Sequence, residues 1–217
     1  PGYDASVVYV IEQLENAGYT IKTTTFDIQR DEWNQDPFVG ADGEDVLVYE
    51  EDFYIMSETG SGSVTAPITG VDLVIPAPTE GGVVTSGCEP DDFTSFPVGN
   101  VALVQRGSCT FQTKVSNAVD AGASAVLIFN EGTPGNRDLF GGTLDEDAEN
   151  DVPVFSLSYE AGEALAALGP DVPVSVVADF ERVLTPTQNV FAETAGDPTR
   201  VVVVGAHLDS VEAGAGI

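Results

Sequence analysis

The run Val101-Ala102-Leu103-Val104-Gln105-Arg106-Gly107-Ser108-Cys109-Thr110-Phe111 decides how the middle of this chain folds. Four apolar residues without polar alternation read as a strand covered on both faces, because a strand with one wet face shows a period of two. Arg106-Gly107 ends the strand, and Thr110 is placed to cap a helix by accepting from a backbone N–H of its first turn. Phe111, Val115, Ala118, Val119 and Gly122 then recur at helical spacing, so they are expected on one inward face. Ala125 to Phe129 follows as a second apolar strand.

On the N-terminal side, Val71 to Ile75 reads as a further apolar strand, stopped by Pro76 and Pro78. On the C-terminal side, residues 130–151 form a Gly- and acid-rich loop with Asp145, Asp147, Glu149 and Asp151. Alternating carboxylates can bind calcium through oxygen. The EF-hand pattern fails here, because Asn150 stands where the glycine is needed and Ser156 where the closing glutamate is needed. A solvated acidic loop is the simpler reading, and calcium is not expected. Val152 to Ser158 is a short strand leading into a helix capped by Ser158. Glu160 and Glu163 suit that helix's positive first turn, Ala161, Leu165 and Leu168 face inward, and Gly169-Pro170 stop it. Val172 to Ala178 is then a strand.

This order, with Arg106-Gly107-Ser108-Cys109-Thr110-Phe111 between strand and helix and Ala121-Gly122-Ala123 before the strand that ends at Asn130, resembles a protease-associated (PA) domain over roughly residues 65–168. The resemblance implies an α+β fold, a small β-barrel or sandwich with flanking helices, in which Arg106 and Phe111 are structural and lock the helix onto the sheet. Cys88 and Cys109, the two cysteines, occupy positions where secreted relatives place a disulfide, so a bridge and an oxidising compartment are implied. Their spacing alone is uninformative, and two free buried thiols are the lesser alternative. Two cysteines fall short of the four ligands of a structural zinc site.

At the start, residues 4–17 read as an amphipathic helix with Asp4 as N-cap, Val7, Val8, Ile11 and Leu14 at three-to-four spacing, and Gly18 after its end. Tyr19 to Phe26 alternates as a strand. Val46, Val48 and Tyr49 could form another, as could Phe53 to Met56, and Thr59-Gly60-Ser61-Gly62-Ser63 reads as a flexible turn or short linker. Near the end, Val183 to Pro186 begins a return, Thr187 to Thr194 reads as a strand, and Gly196-Asp197-Pro198 as a turn. Val201 to Val204 is expected to be a buried strand. At its carboxyl end, where open α/β sheets place ligands, come His207 and Asp209, on the same side if extended. A neutral imidazole binds zinc through one nitrogen while a carboxylate on the other fixes its tautomer. Taken alone, His-x-Asp is more often a solitary histidine hydrogen-bonded to a neighbouring loop.

Together, Asn189-Val190-Phe191-Ala192-Glu193, the turn, the valine run and Gly205-Ala206-His207-Leu208-Asp209-Ser210 resemble the secreted two-zinc aminopeptidases of the aminopeptidase Y-like family. The resemblance implies that His207 ligates zinc and that Asp209 orients it. The family's other ligands and its glutamate base would follow Ile217, so this chain reads as an N-terminal fragment with an incomplete site. The implied division is an α/β zinc-peptidase sheet, incomplete, over residues 1–60 and 183–217, with the PA domain inserted over 61–182. The complete protein would be a secreted, two-zinc aminopeptidase acting on peptide or protein substrates, its PA domain a lid or substrate-selecting element; the fragment alone is expected to be inactive. Two rivals stand beside this: a non-catalytic PA-type module that binds peptides or proteins, and a zinc carboxypeptidase of the same clan. The second would need a basic pocket for the substrate carboxylate, and no arginine cluster occurs. No Gly-x-Ser-x-Gly turn supports a serine nucleophile.

The charge narrows the partners. Seven Lys and Arg against 36 Asp and Glu give a formal net charge of −29, a field that repels nucleic acid and anionic membrane surfaces. Such acid excess is ordinary solvated surface or an adaptation to high salt. No apolar run approaches the roughly 18 residues that span a bilayer. No basic segment followed by an apolar core opens the sequence, so a signal peptide is expected to have been removed or omitted.

Overall fold

The computed structural model describes residues 2–41, 44–45, 47–79, 82–148, 150–169, 172–197 and 199–208. The elements in order are α1 (Gly2–Asn16), β1 (Thr20–Trp33), β2 (Phe38–Ala41), β3 (Glu44–Asp45), β4 (Phe53–Ile55), β5 (Gly62–Gly70), a 3-10 turn at Pro90–Phe93, β6 (Val101–Gln105), α2 (Phe111–Asp120), β7 (Ala125–Phe129), β8 (Val154–Leu157), α3 (Tyr159–Ala166), β9 (Pro173–Ala178) and β10 (Phe180–Glu193). They form two compact units: residues 1–30 with 182–217, and residues 31–181.

The larger unit is built on a mixed sheet of order β3-β2-β9-β5-β6-β7-β8-β4. Strands β5, β6, β7 and β8 run parallel, while β9 pairs antiparallel with both β5 and β2, and β4 with β8. Every residue of β6, β7 and β8 is buried, which is why these runs carry no polar alternation. The period of two survives as a division between two cores. Val101, Leu103, Leu127, Phe129, Phe155 and Leu157 join β2, β9 and α3 on one face. Ala102, Val104, Val126, Ile128 and Val154 join α2 and the 3-10 turn on the other. Helix α3 lies so close to β7 that a Cβ on Gly162 would fall 2.1 Å from Phe129 Cγ.

Both caps read from the sequence form: Thr110 accepts from the Thr113 N–H and Ser158 from the Ala161 N–H. Val115 and Ala118 of α2 are buried, whereas Val119 is 38% exposed, one step round the helix from the inward face. The Thr59–Ser63 stretch is no linker. Thr59 is buried and its Oγ1 accepts from Val154 N at 2.7 Å. A Cβ on Gly60 would meet Asn150 O at 2.4 Å, and β5 begins at Gly62. The strand expected over 71–75 is absent, for β5 ends at Gly70. The Gln105 side chain takes the partner strand's place at Val74, accepting from its N–H at 2.8 Å and donating to its carbonyl at 3.3 Å. Residues 38–55, which the sequence reading placed before the crossing into the insert at 60/61, supply β2, β3 and β4 to the sheet; strands of two to four residues are too short to show a period.

In the smaller unit α1 starts at Gly2, so Asp4 lies in its first turn rather than capping it, which still suits the positive end of the helix. Val7 is buried but Val8 is 55% exposed. Gly18 takes φ +88° after the helix end, the left-handed conformation a glycine there makes easy. Strand β1 runs on to Trp33, well past Phe26, and β10 is continuous from Phe180 to Glu193, pairing with β1. Val201 to Val204 do not form the expected buried strand: they lie outside regular structure and are 70–91% exposed. A strand buried on both faces needs flanking strands, and among the described residues none pairs with these valines.

Candidate functional site

His207 lies in the irregular, exposed segment that follows the valines. With Leu208 it lines an open depression of about 420 Å³ against Ala5, Ser6, Tyr9 and Val10 of α1. Asp209, its expected orienting partner, lies outside the described residues. Among the described residues no group of three or more His, Cys, Asp or Glu is placed to hold a metal ion. No trio of the carboxylates at 145, 147 and 151 draws together into a cation cage either, again among the described residues.

The parallel strands bring a second set of polar groups together at the carboxyl ends of β6, β7 and β8. Buried Gln105 donates to Glu131 O at 2.8 Å besides its two bonds to Val74. Asn130 donates to Asp138 O at 2.8 Å and accepts from the Glu131 N–H at 2.9 Å. Arg106 reaches Asn130 Oδ1 at 3.5 Å and lies 4.9 Å over the Phe140 ring, which in turn stacks on Phe111 at 5.6 Å. Arg137 pairs with Glu160 at 2.8 Å and covers the Tyr159 ring at 4.2 Å. Burial, with the nearby Glu163 carboxylate, raises the Tyr159 phenol above its usual pKa. These groups bind backbone carbonyls and amides or pack on rings, so they hold loops; Arg106 and Phe111 have the structural part that was expected of them.

Cys88 and Cys109 are joined as a disulfide, 21 positions apart with Cα atoms 5.7 Å apart, and no free cysteine remains. Beside it is a residue the sequence reading passed over. Lys114 of α2 is wholly buried; its Nζ donates to Ser86 O and lies 3.6 Å from Cys88 Sγ. Burial pulls its pKa from 10.5 down to about 8, against the opposing attraction of Asp92. The signal was in the spacing: position 114 is three beyond Phe111 and four before Ala118, on the inward face, where its charge argued for solvent. Ser86 in turn donates to Val71 O at 2.6 Å and accepts from Gln105 N at 2.8 Å, tying this corner to β6.

Residues 58–165 match the PA domain family. Over its whole length the chain is 42% identical to an aminopeptidase of Pseudomonas aeruginosa strain UCBPP-PA14, of which it spans 40%. Among solved structures it is similar to an aminopeptidase from Aneurinibacillus sp. strain AM-1, with TM-score 0.67 and 24% identity over 98% of this chain and 48% of that one. It is also similar to BSAP, a zinc aminopeptidase from Bacillus subtilis, with TM-score 0.58 and 18% identity over 91% and 42% of the two chains. At those identities the two structures establish the fold. With a PA domain at residues 58–165 and a relative matched along its full length, the chain carries a PA domain and is similar to aminopeptidases, of whose length it spans about 40%.

Proposed function

We propose that this chain supplies the PA domain and one metal-binding imidazole to a secreted, two-zinc aminopeptidase acting on peptides or proteins. The observation that carries this reading is the 42% identity to an aminopeptidase over the whole chain. His207 would be a zinc ligand, and the Asp209 carboxylate would hold its second ring nitrogen. The unit Asp31–Glu181 would be the insert that restricts access to the active-site mouth, with the flanking residues part of the peptidase sheet. Secretion is supported by the disulfide, which persists in oxidising compartments. No helix among the described residues is long and apolar enough to cross a membrane.

A single imidazole and a single carboxylate do not hold two metal ions, so no catalytic step is assigned to these residues. The purified chain is expected to hydrolyse no aminoacyl-anilide and to retain no zinc after dialysis. Turnover that a chelator abolishes would overturn this.

A second reading has its own support. Both core clusters lie wholly within Asp31–Glu181, as expected of a domain that folds on its own and could act apart from the peptidase sheet. Peptide capture by the chain, unchanged by chelator, would favour it; its absence would favour a purely steric insert.

A further inference from the structure

We propose that the Cys88–Cys109 disulfide opens in one direction: an incoming thiol attacks Cys109 Sγ, and Cys88 leaves as a thiolate held by Lys114. The geometry is asymmetric. Lys114 Nζ is 3.6 Å from Cys88 Sγ, and the side chain is wholly buried, so the ammonium cannot swing into water. Among the described residues no cation is hydrogen-bonded to Cys109 Sγ. What acts on Cys109 is the start of α2, whose cap is the next residue, Thr110. A helix end is equivalent to about half an elementary charge and weakens within a turn, against a full charge in contact with Cys88. Both cysteines are half-buried, so small thiols can reach the bridge.

In disulfide exchange the better-stabilised thiolate leaves faster, so the sulfur beside the ammonium is the leaving group. With a small monothiol as reductant, the Cys88–Cys109 bond breaks and a bond forms between Cys109 and the incoming sulfur. The electron pair of the old bond departs on Cys88, and the incoming thiol's proton passes to solvent. The product is a mixed disulfide on Cys109 and a Cys88 thiolate beside Lys114. That thiolate can then attack the Cys109 sulfur, expel the monothiol and restore the bridge. Cys109 is thereby a site of reversible thiolation, and Cys88 the resolving sulfur.

The segment that follows Cys88 is acidic, with Glu89, Asp91 and Asp92 at the 3-10 turn. Asp92 of the 3-10 turn attracts Lys114, and its carboxylate accepts from the Glu89 N–H. The core-facing residues of β6 against α2, Ala102 and Val104, are apolar. The preference should therefore follow the protonation of Lys114, whose pKa is about 8.

The test is to expose the chain to limiting glutathione at pH 7, trap the freed thiol with iodoacetamide at early times, and map the adducts by mass spectrometry. Glutathione is expected on Cys109 and the trap on Cys88 with a preference of about tenfold or more. The preference should fall toward parity at pH 10, and at pH 7 in Lys114→Met. If that variant does not fold, the pH series of the unmodified chain decides alone. Equal labelling at pH 7, glutathione mainly on Cys88, or a preference unchanged from pH 7 to pH 10 would each overturn the proposal, the last by showing that access rather than charge sets the direction.

Discussion

Replacing Lys114 with methionine should change how the stability of this protein depends on pH more than the stability itself. In the folded chain the Lys114 pKa is about 8, against 10.5 unperturbed. Between those values the unfolded chain binds the proton that the folded chain has given up, so stability rises with pH across the window. At about 1.4 kcal/mol per pKa unit, the buried ammonium costs the fold about 3 kcal/mol below pH 8, relieved as the pH approaches 10.5. Methionine has a similar unbranched shape and no charge to desolvate, but leaves Ser86 O without its donor, at about 1–3 kcal/mol. The two effects nearly offset at pH 7, where the variant should lie within about 1–2 kcal/mol of the parent. Urea unfolding at intervals from pH 7 to pH 10, on both proteins, removes every other titration from the difference. The parent should gain on the variant by about 2 kcal/mol or more over that range. A flat difference would show that water reaches Lys114 and that its burial has no electrostatic consequence.

Gly162→Ala should cost about 3 kcal/mol or more, read as a drop in melting temperature, because the new methyl would lie 2.1 Å from Phe129 Cγ inside a filled core. Gln105→Leu should cost about 3 kcal/mol in urea unfolding and loosen the loop after Gly70, since it strips bonds from Val74 N, Val74 O and Glu131 O at once. With a net charge of −29 the melting temperature should rise by several degrees between about 0.05 and 1 M sodium chloride as the self-repulsion is screened; no rise would mean the acidic surface is locally compensated.

The parts of the fold legible in the sequence were those where burial and backbone agree. Strands β6 and β7 are apolar throughout because both faces are covered, and Thr110 and Ser158 declare their helices because a hydroxyl before a helical pattern has few other uses. Where a long-range partner replaces a local one, the pattern misleads. Val71 to Ile75 has the composition of a strand, yet the backbone N–H and carbonyl of Val74 are satisfied by a side chain from β6, which no local window contains. Strands β1 and β10 are exposed along most of their length, so nothing in their alternation marked where they end. Lys114 hid behind its charge. At the candidate metal ligand the sequence motif runs ahead of the described geometry: His207 is placed, and Asp209 is beyond it.

The position of β9 sets a schedule for the ribosome. It sits between β2 and β5 and holds both, but its residues, Pro173–Ala178, are made more than a hundred positions after Phe38–Ala41. Until they emerge from the exit tunnel, β2 lacks its main neighbour and the β5 edge stands unpaired, open to other chains. Translation that pauses before Pro173 would prolong that exposure, and aggregation during synthesis should increase with the length of the pause.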